Sequence, residues 1–138
     1  MTIHGVAESS LYVENVARTR DFFVRVFGFE VLDVEATGRF AAFAVAPGSV
    51  LLVFRKGSTT SPVTFAGGTI PAHDGHGNLH FAFSIDADAY EDWKQRLSDN
   101  EVAIESEVVW PKGGRSIYFR DPDGHLGELI TPGVWKNY

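Results

Sequence analysis

Apolar and polar residues alternate with a period of two at the head of each half of the chain. Leu11 and Val13 fall on one side, with Glu8, Ser10 and Tyr12 on the other. Phe81, Phe83 and Ile85 alternate in the same way with His80, Ala82 and Ser84. That period predicts a strand in each place, with the two sets facing opposite ways. A helix follows each strand. The first is predicted over Val16–Phe27, with Asn15 as its N-cap and Gly28 as its stop. The second has Asp88 and Glu91 at capping-box spacing, and Tyr90, Trp93 and Leu97 on one helical face. Three strand-like runs come next in each half: Phe29–Val34, Phe40–Ala46 and Val50–Phe54, then Val102–Trp110, Ser116–Arg120 and His125–Thr131. Between the halves, Lys56 to Asn78 holds most of the Gly and Pro punctuation. It is predicted to be a long connection containing short structured pieces.

Each half therefore reads strand, helix, three strands, which predicts an internal duplication. At an offset of 76, Arg39 meets Arg115, Phe43 meets Phe119 and Gly48 meets Gly124. At an offset of 71 or 72, Ala17 meets Ala89, Asp21 meets Asp92 and Val31 meets Val102. The expected layout is one α+β domain over residues 1–138. Module one covers about 5–57, the connection about 58–78, and module two about 79–133.

Composition narrows the function. The chain has 138 residues, 44% of them hydrophobic and 22% charged, enough for one packed core. A net charge of -6 argues against a nucleic-acid partner. The lack of cysteine excludes disulfides, thiolate nucleophiles and Cys-ligated metals. The longest apolar run, Phe40 to Ala46, is far too short for a membrane span. No signal peptide is visible at the N-terminus, so a cytoplasmic protein is expected. There is no dinucleotide fingerprint and no nucleophile elbow.

The duplication also says where chemistry can gather. The offset of 72 puts Glu8 and His80 at equivalent positions, and the offset of 76 does the same for Leu52 and Glu128. Three of these four residues carry metal-ligand chemistry, because a first-row divalent ion accepts imidazole nitrogen together with carboxylate oxygen. Two carboxylates brought close together repel unless one takes a proton, and a divalent cation removes that conflict. Taken singly, each residue also has an ordinary reading: Glu8 as a solvated surface residue, His80 as a hydrogen-bonded core histidine, Glu128 as an exposed edge residue.

The run Gly113-Gly114-Arg115-Ser116-Ile117-Tyr118-Phe119-Arg120-Asp121-Pro122-Asp123-Gly124-His125-Leu126-Gly127-Glu128-Leu129 resembles the C-terminal signature of the vicinal oxygen chelate superfamily. So do Leu11-Tyr12-Val13, Phe22-Phe23 and Phe27-Gly28-Phe29. That superfamily includes glyoxalase I, extradiol dioxygenases, fosfomycin-modifying enzymes and bleomycin-binding proteins. The resemblance implies two tandem βαβββ modules forming an open eight-stranded barrel-like cleft around a metal. It makes His80 and Glu128 the matching ligands, with Glu8 where the family often has histidine or glutamine. Leu52 stands where glyoxalase I has a fourth, glutamate ligand, and leucine cannot coordinate. Ring-cleaving dioxygenases usually present two histidines and one glutamate, against one histidine and two glutamates here.

The function expected on this basis is that of a metal-dependent lyase, dioxygenase or transferase acting on a small substrate through adjacent oxygens. Manganese, iron, nickel, zinc or magnesium would be held by Glu8, His80 and Glu128, with Glu8 or Glu128 acting as base. Ser10, Trp110, Lys112, Arg115 and Tyr118 are the candidate substrate contacts. Lys112 and Arg115 flank a Gly-rich turn that could hold an anion. The alternative is a non-catalytic binder of a drug or aromatic ligand, of the bleomycin-resistance type. His73, Asp74 and His76 are read as a polar loop, with a second metal site as the other reading, and Trp135 and Tyr138 as packing residues. A homodimer is expected, with Phe22, Phe65 and Trp135 as candidates for the covered surface and the core as the other reading of each.

Overall fold

The computed structural model describes residues 1–138, which divide into two compact units, Met1–Gly77 and Asn78–Tyr138. The fold class is α+β. In the first unit β1 (Glu8–Val13) leads into α1 (Val16–Phe27), then β2 (Glu30–Val34), β3 (Phe40–Ala46) and β4 (Ser49–Arg55). The strands form one sheet in the order β1-β4-β3-β2, with β1 parallel to β4 and the other pairs antiparallel. Asn15 caps α1 as expected, its Oδ1 accepting from the Arg18 N–H at 3.0 Å. Gly28 ends the helix at φ 70°, where a side chain is disfavoured, and its N–H bonds the Val24 carbonyl.

The alternation in the strands decides what each face meets. Leu11, Val13, Ala41, Phe43, Leu51 and Val53 are buried on one face. Helix α1 adds Phe23, whose ring lies 5.6 Å from that of Phe43. Phe22 is buried as well, so of its two expected readings the core one holds. The opposite face carries Glu8, Ser10 and Leu52, with Ser10 paired to Leu52.

The connection continues the first unit with a small hairpin, β5 (Val63–Phe65) and β6 (Gly68–Ile70). It is anchored by His73, whose N–H donates to the Thr59 carbonyl at 3.0 Å while Thr59 Oγ1 donates to the His73 carbonyl at 2.5 Å. Tyr12 Oη lies 2.5 Å from His73 Nδ1.

The second unit repeats the plan: β7 (His80–Ser84), a 3₁₀ turn (Ala87–Ala89), α2 (Tyr90–Asp99), β8 (Ile104–Val109), β9 (Arg115–Arg120) and β10 (Leu126–Ile130). Its sheet order is β7-β10-β9-β8, with β7 parallel to β10. The registers give the same two offsets that the sequence implied. Ser10 pairs with Leu52 as Ala82 pairs with Glu128, and Ala42 pairs with Leu52 as Tyr118 pairs with Glu128. The expected capping box does not form. Asp88 lies inside the 3₁₀ turn, and α2 starts at Tyr90 with no side-chain cap. The Ala89 N–H is already satisfied by the Asp86 carbonyl. No helix is long and apolar enough to cross a membrane.

Candidate metal centre

The Asp121-Pro122-Asp123-Gly124 turn sets the site. Asp121 Oδ1 accepts from the N–H groups of Asp123 at 3.0 Å and His125 at 2.8 Å. Burial pushes the Asp121 carboxyl above its ordinary value, against the pull of those backbone donors and the nearby His125. His125 is fully buried, and its Nδ1 accepts from the Leu79 N–H at 3.0 Å. This bond ties the start of β7 to the start of β10. His80 and Glu128 are thereby brought side by side.

His80 Nδ1 lies 3.0 Å from the Leu126 carbonyl, which can only accept, so Nδ1 carries the proton and donates. The other ring nitrogen, Nε2, lies 3.3 Å from Glu128 Oε2. Glu128 is buried, and its Oε1 has no hydrogen-bond partner. A buried carboxylate oxygen without a partner is costly, and a cation placed beside it would satisfy it. Burial, and then its hydrogen bond to Glu128, push the Tyr118 phenol above its usual value, while Ser116 pulls it the other way.

These residues belong to a cavity of about 520 Å³ in the second unit. Its floor is the strand face carrying His80, Ala82, Ser84, Tyr118, Glu128 and Ile130. Trp110, Val134, Trp135 and Tyr138 complete the lining. Trp110 is fixed by its Nε1–H, which donates to Ser116 Oγ at 2.8 Å. Trp135 and Tyr138, expected to be packing residues, line the cavity instead.

The other candidate residues are distributed as follows. Glu8 is exposed and Ser10 half-buried on β1 of the first unit. Arg115 does not line the cavity: its Nη2 pairs with Glu91 Oε1 at 2.8 Å and its guanidinium lies 3.5 Å from the Tyr90 ring centroid. Lys112 is exposed and also lies outside the lining. The chain gathers no group of three or more His, Asp or Glu side chains that could hold an ion. The second unit itself supplies the pair His80 and Glu128.

The donor set suits a divalent ion. An imidazole nitrogen oriented by a backbone carbonyl, beside a carboxylate with an unsatisfied buried oxygen, is the arrangement expected around a metal ligand.

Two tandem βαβββ modules, with a histidine on the first strand of the second and a glutamate on its last, define the vicinal oxygen chelate class. The chain belongs to the Glyoxalase/Bleomycin resistance protein/Dioxygenase superfamily, whose family profile matches residues 2–129. It is similar to metallothiol transferase FosB of Staphylococcus haemolyticus, 29% identical over 130 residues that cover 94% of this chain and 84% of that protein. FosB of Staphylococcus saprophyticus is 47% identical over 53 residues, 38% of this chain and 35% of that protein. That stretch thus spans little more than a third of the relative's length. Among solved structures, lactoylglutathione lyase from Agrobacterium tumefaciens superposes with a TM-score of 0.86 at 28% identity, covering 99% of each chain.

Proposed function

We propose that this protein is a metal-dependent enzyme acting on a small substrate that presents two adjacent oxygens. The observation that carries the reading is the His80–Glu128 pair, with Nε2 3.3 Å from Oε2, Nδ1 held by the Leu126 carbonyl, and a buried Oε1 without a partner. The relatives support it: FosB proteins are named metallothiol transferases, and a FosX from Listeria monocytogenes was crystallised with Mn(II) and a dihydroxypropylphosphonic acid. A divalent ion bound here supplies Lewis acidity toward neighbouring substrate oxygens.

The chain's own residues do the rest. His80 and Glu128 hold the ion, and Leu126 fixes the imidazole through its carbonyl. Glu8 is the proposed third ligand, and either Glu8 or Glu128 takes a proton from the substrate. Tyr118 keeps its proton at neutral pH, so it donates a hydrogen bond to a substrate oxygen or to Glu128. Ser10 and Trp110 are the remaining proposed contacts. Arg115 is committed to Glu91 and Tyr90 and Lys112 lies outside the cavity lining, so neither expected cation is placed to hold a substrate anion. Leu52 occupies the first-unit counterpart of Glu128, which leaves the ion three protein ligands. The working unit is proposed to be a cytoplasmic homodimer.

Manganese titration of the metal-stripped protein tests this reading. About one ion per chain is expected, with His80→Ala and Glu128→Gln each weakening affinity by about tenfold or more. Unchanged affinity in both variants overturns the assignment. Ligand binding that survives chelation, with no turnover on any metal, would instead favour the non-catalytic binder.

A further inference from the structure

The cavity around His80 and Glu128 has a wall that the metal chemistry does not require. Trp135 is 65% exposed and Tyr138 36% exposed, yet both line the cavity together with Trp110 and Ile130. The segment that carries them is held in place. Tyr138 Oη donates to the Ile130 carbonyl at 3.0 Å, and its N–H donates to the Trp135 carbonyl at 3.2 Å. The Gly133 N–H donates back to the Tyr138 carbonyl at 3.1 Å. Gly133 packs on Gly114 so closely that a Cβ added at Gly114 would lie 2.7 Å from the Gly133 carbonyl carbon. Two glycines thus allow the segment after β10 to seat against the turn before β9.

The charge of the lining is equally selective. No Lys or Arg is among the lining residues, and the nearest sequence candidate, Arg115, is paired elsewhere. A phosphonate or a second carboxylate would find no fixed cation to receive it, since strong anion sites use Arg or Lys. Flat apolar bodies suit indole and phenol rings, which add stacking to area burial.

We infer that Trp110 and the segment Pro132–Tyr138 form a specificity wall, and that the substrate carries its adjacent oxygens on an uncharged aromatic or apolar body. This rests on the metal-centre reading for the oxygens, and on the wall alone for the body. The site is large enough for such a body: about 520 Å³ lies within the range of small-molecule pockets.

The test is a binding comparison on the manganese-loaded and metal-stripped protein, read by tryptophan fluorescence and calorimetry. The probes are 2,3-dihydroxynaphthalene, an uncharged aromatic diol, and 1,2-dihydroxypropylphosphonate, a compact anionic diol. On loaded protein the naphthalenediol is expected to bind about tenfold or more tighter than the phosphonate, and Trp135→Ala to weaken it by a similar factor. Gly114→Ala, which displaces the segment without touching a ring, is expected to weaken the naphthalenediol while leaving manganese affinity unchanged. Circular dichroism and manganese affinity confirm that each variant is folded. Equal or tighter binding of the phosphonate overturns the inference, as does naphthalenediol affinity that is indifferent to Trp135→Ala and Gly114→Ala. Failure of the metal reading looks different: naphthalenediol affinity would respond to the wall variants but not to manganese or to His80→Ala.

Discussion

At the scale of single residues, Gly127 shows how closely the site depends on the core beneath it. It lies between the start of β10 and Glu128, on the face opposite the ligands. A Cβ there would sit 2.3 Å from Phe119 Cζ, and the Phe119 ring is fully buried. Gly127→Ala must push the ring or the strand, and is expected to cost about 1–3 kcal/mol. Urea unfolding followed by tryptophan fluorescence reads that loss. Because the strand carries Glu128, manganese affinity should fall in the same variant, and wild-type stability with wild-type affinity would contradict this packing. Single residues also divide what sequence could reveal from what it could not. The equivalence of Glu8 with His80, and of Leu52 with Glu128, is legible in sequence because a duplication fixes equivalent positions by simple offsets and strand registers preserve them. Arg115 beside a Gly-rich turn suggests a substrate cation in sequence, whereas its partner Glu91 lies 24 residues away, across a contact no local pattern announces. In sequence Trp135 and Tyr138 look like packing residues, because their place depends on Gly133 meeting Gly114, a contact between segments.

At the scale of elements, α2, β8 and β9 are joined by a polar network that replaces the missing helix cap. Tyr90, buried at the start of α2, donates to Glu107 Oε2 at 2.9 Å and to the Ser116 carbonyl at 3.1 Å. Lys94 Nζ adds an ion pair to Glu107 Oε1 at 3.0 Å. The hydrogen bonds from Lys94 and then Tyr90 hold the Glu107 carboxyl below its ordinary value of 4.5, and burial only partly opposes them. Burial first, and Glu107 second, push the Tyr90 phenol up to about 12. The two signs differ. The lowered Glu107 contributes stability that is present above pH 4.5 and is lost as pH falls through its lowered folded value. The raised Tyr90 contributes stability that is present below pH 10 and is lost as pH rises toward about 12. Glu107→Gln is therefore expected to flatten the acid limb of a stability-against-pH curve below 4.5. Chemical denaturation across the acid range measures it, and an unchanged acid limb would show that the network does not couple to folding. The helix itself was predictable from Tyr90, Trp93 and Leu97, but the 3₁₀ turn was not. Asp88 has the right spacing for a cap, and only the backbone path at Asp86–Ala89 decides that it is not used.

At the scale of the whole molecule, the proposed site needs a third ligand beside His80 and Glu128. The second unit supplies His80 and Glu128 as a pair. Glu8 stands exposed on β1, an edge strand of its sheet. Exposed Phe65 and Val109 leave apolar surface for a second copy to cover. The proposed homodimer can meet both needs if Glu8 of one copy completes the pair of the other. Differently tagged chains carrying Glu8→Ala and His80→Ala, copurified as a heterodimer, separate the two arrangements. If Glu8 crosses between copies, the Glu8→Ala chain keeps its His80–Glu128 pair and receives Glu8 from the His80→Ala chain. One site is then intact, and about one tightly bound manganese per heterodimer is expected. If Glu8 serves its own chain, both sites in the heterodimer are broken and manganese binds as weakly as in the two single variants. Sedimentation that finds only a 15.2 kDa species would remove the dimer, and with it this route to the third ligand.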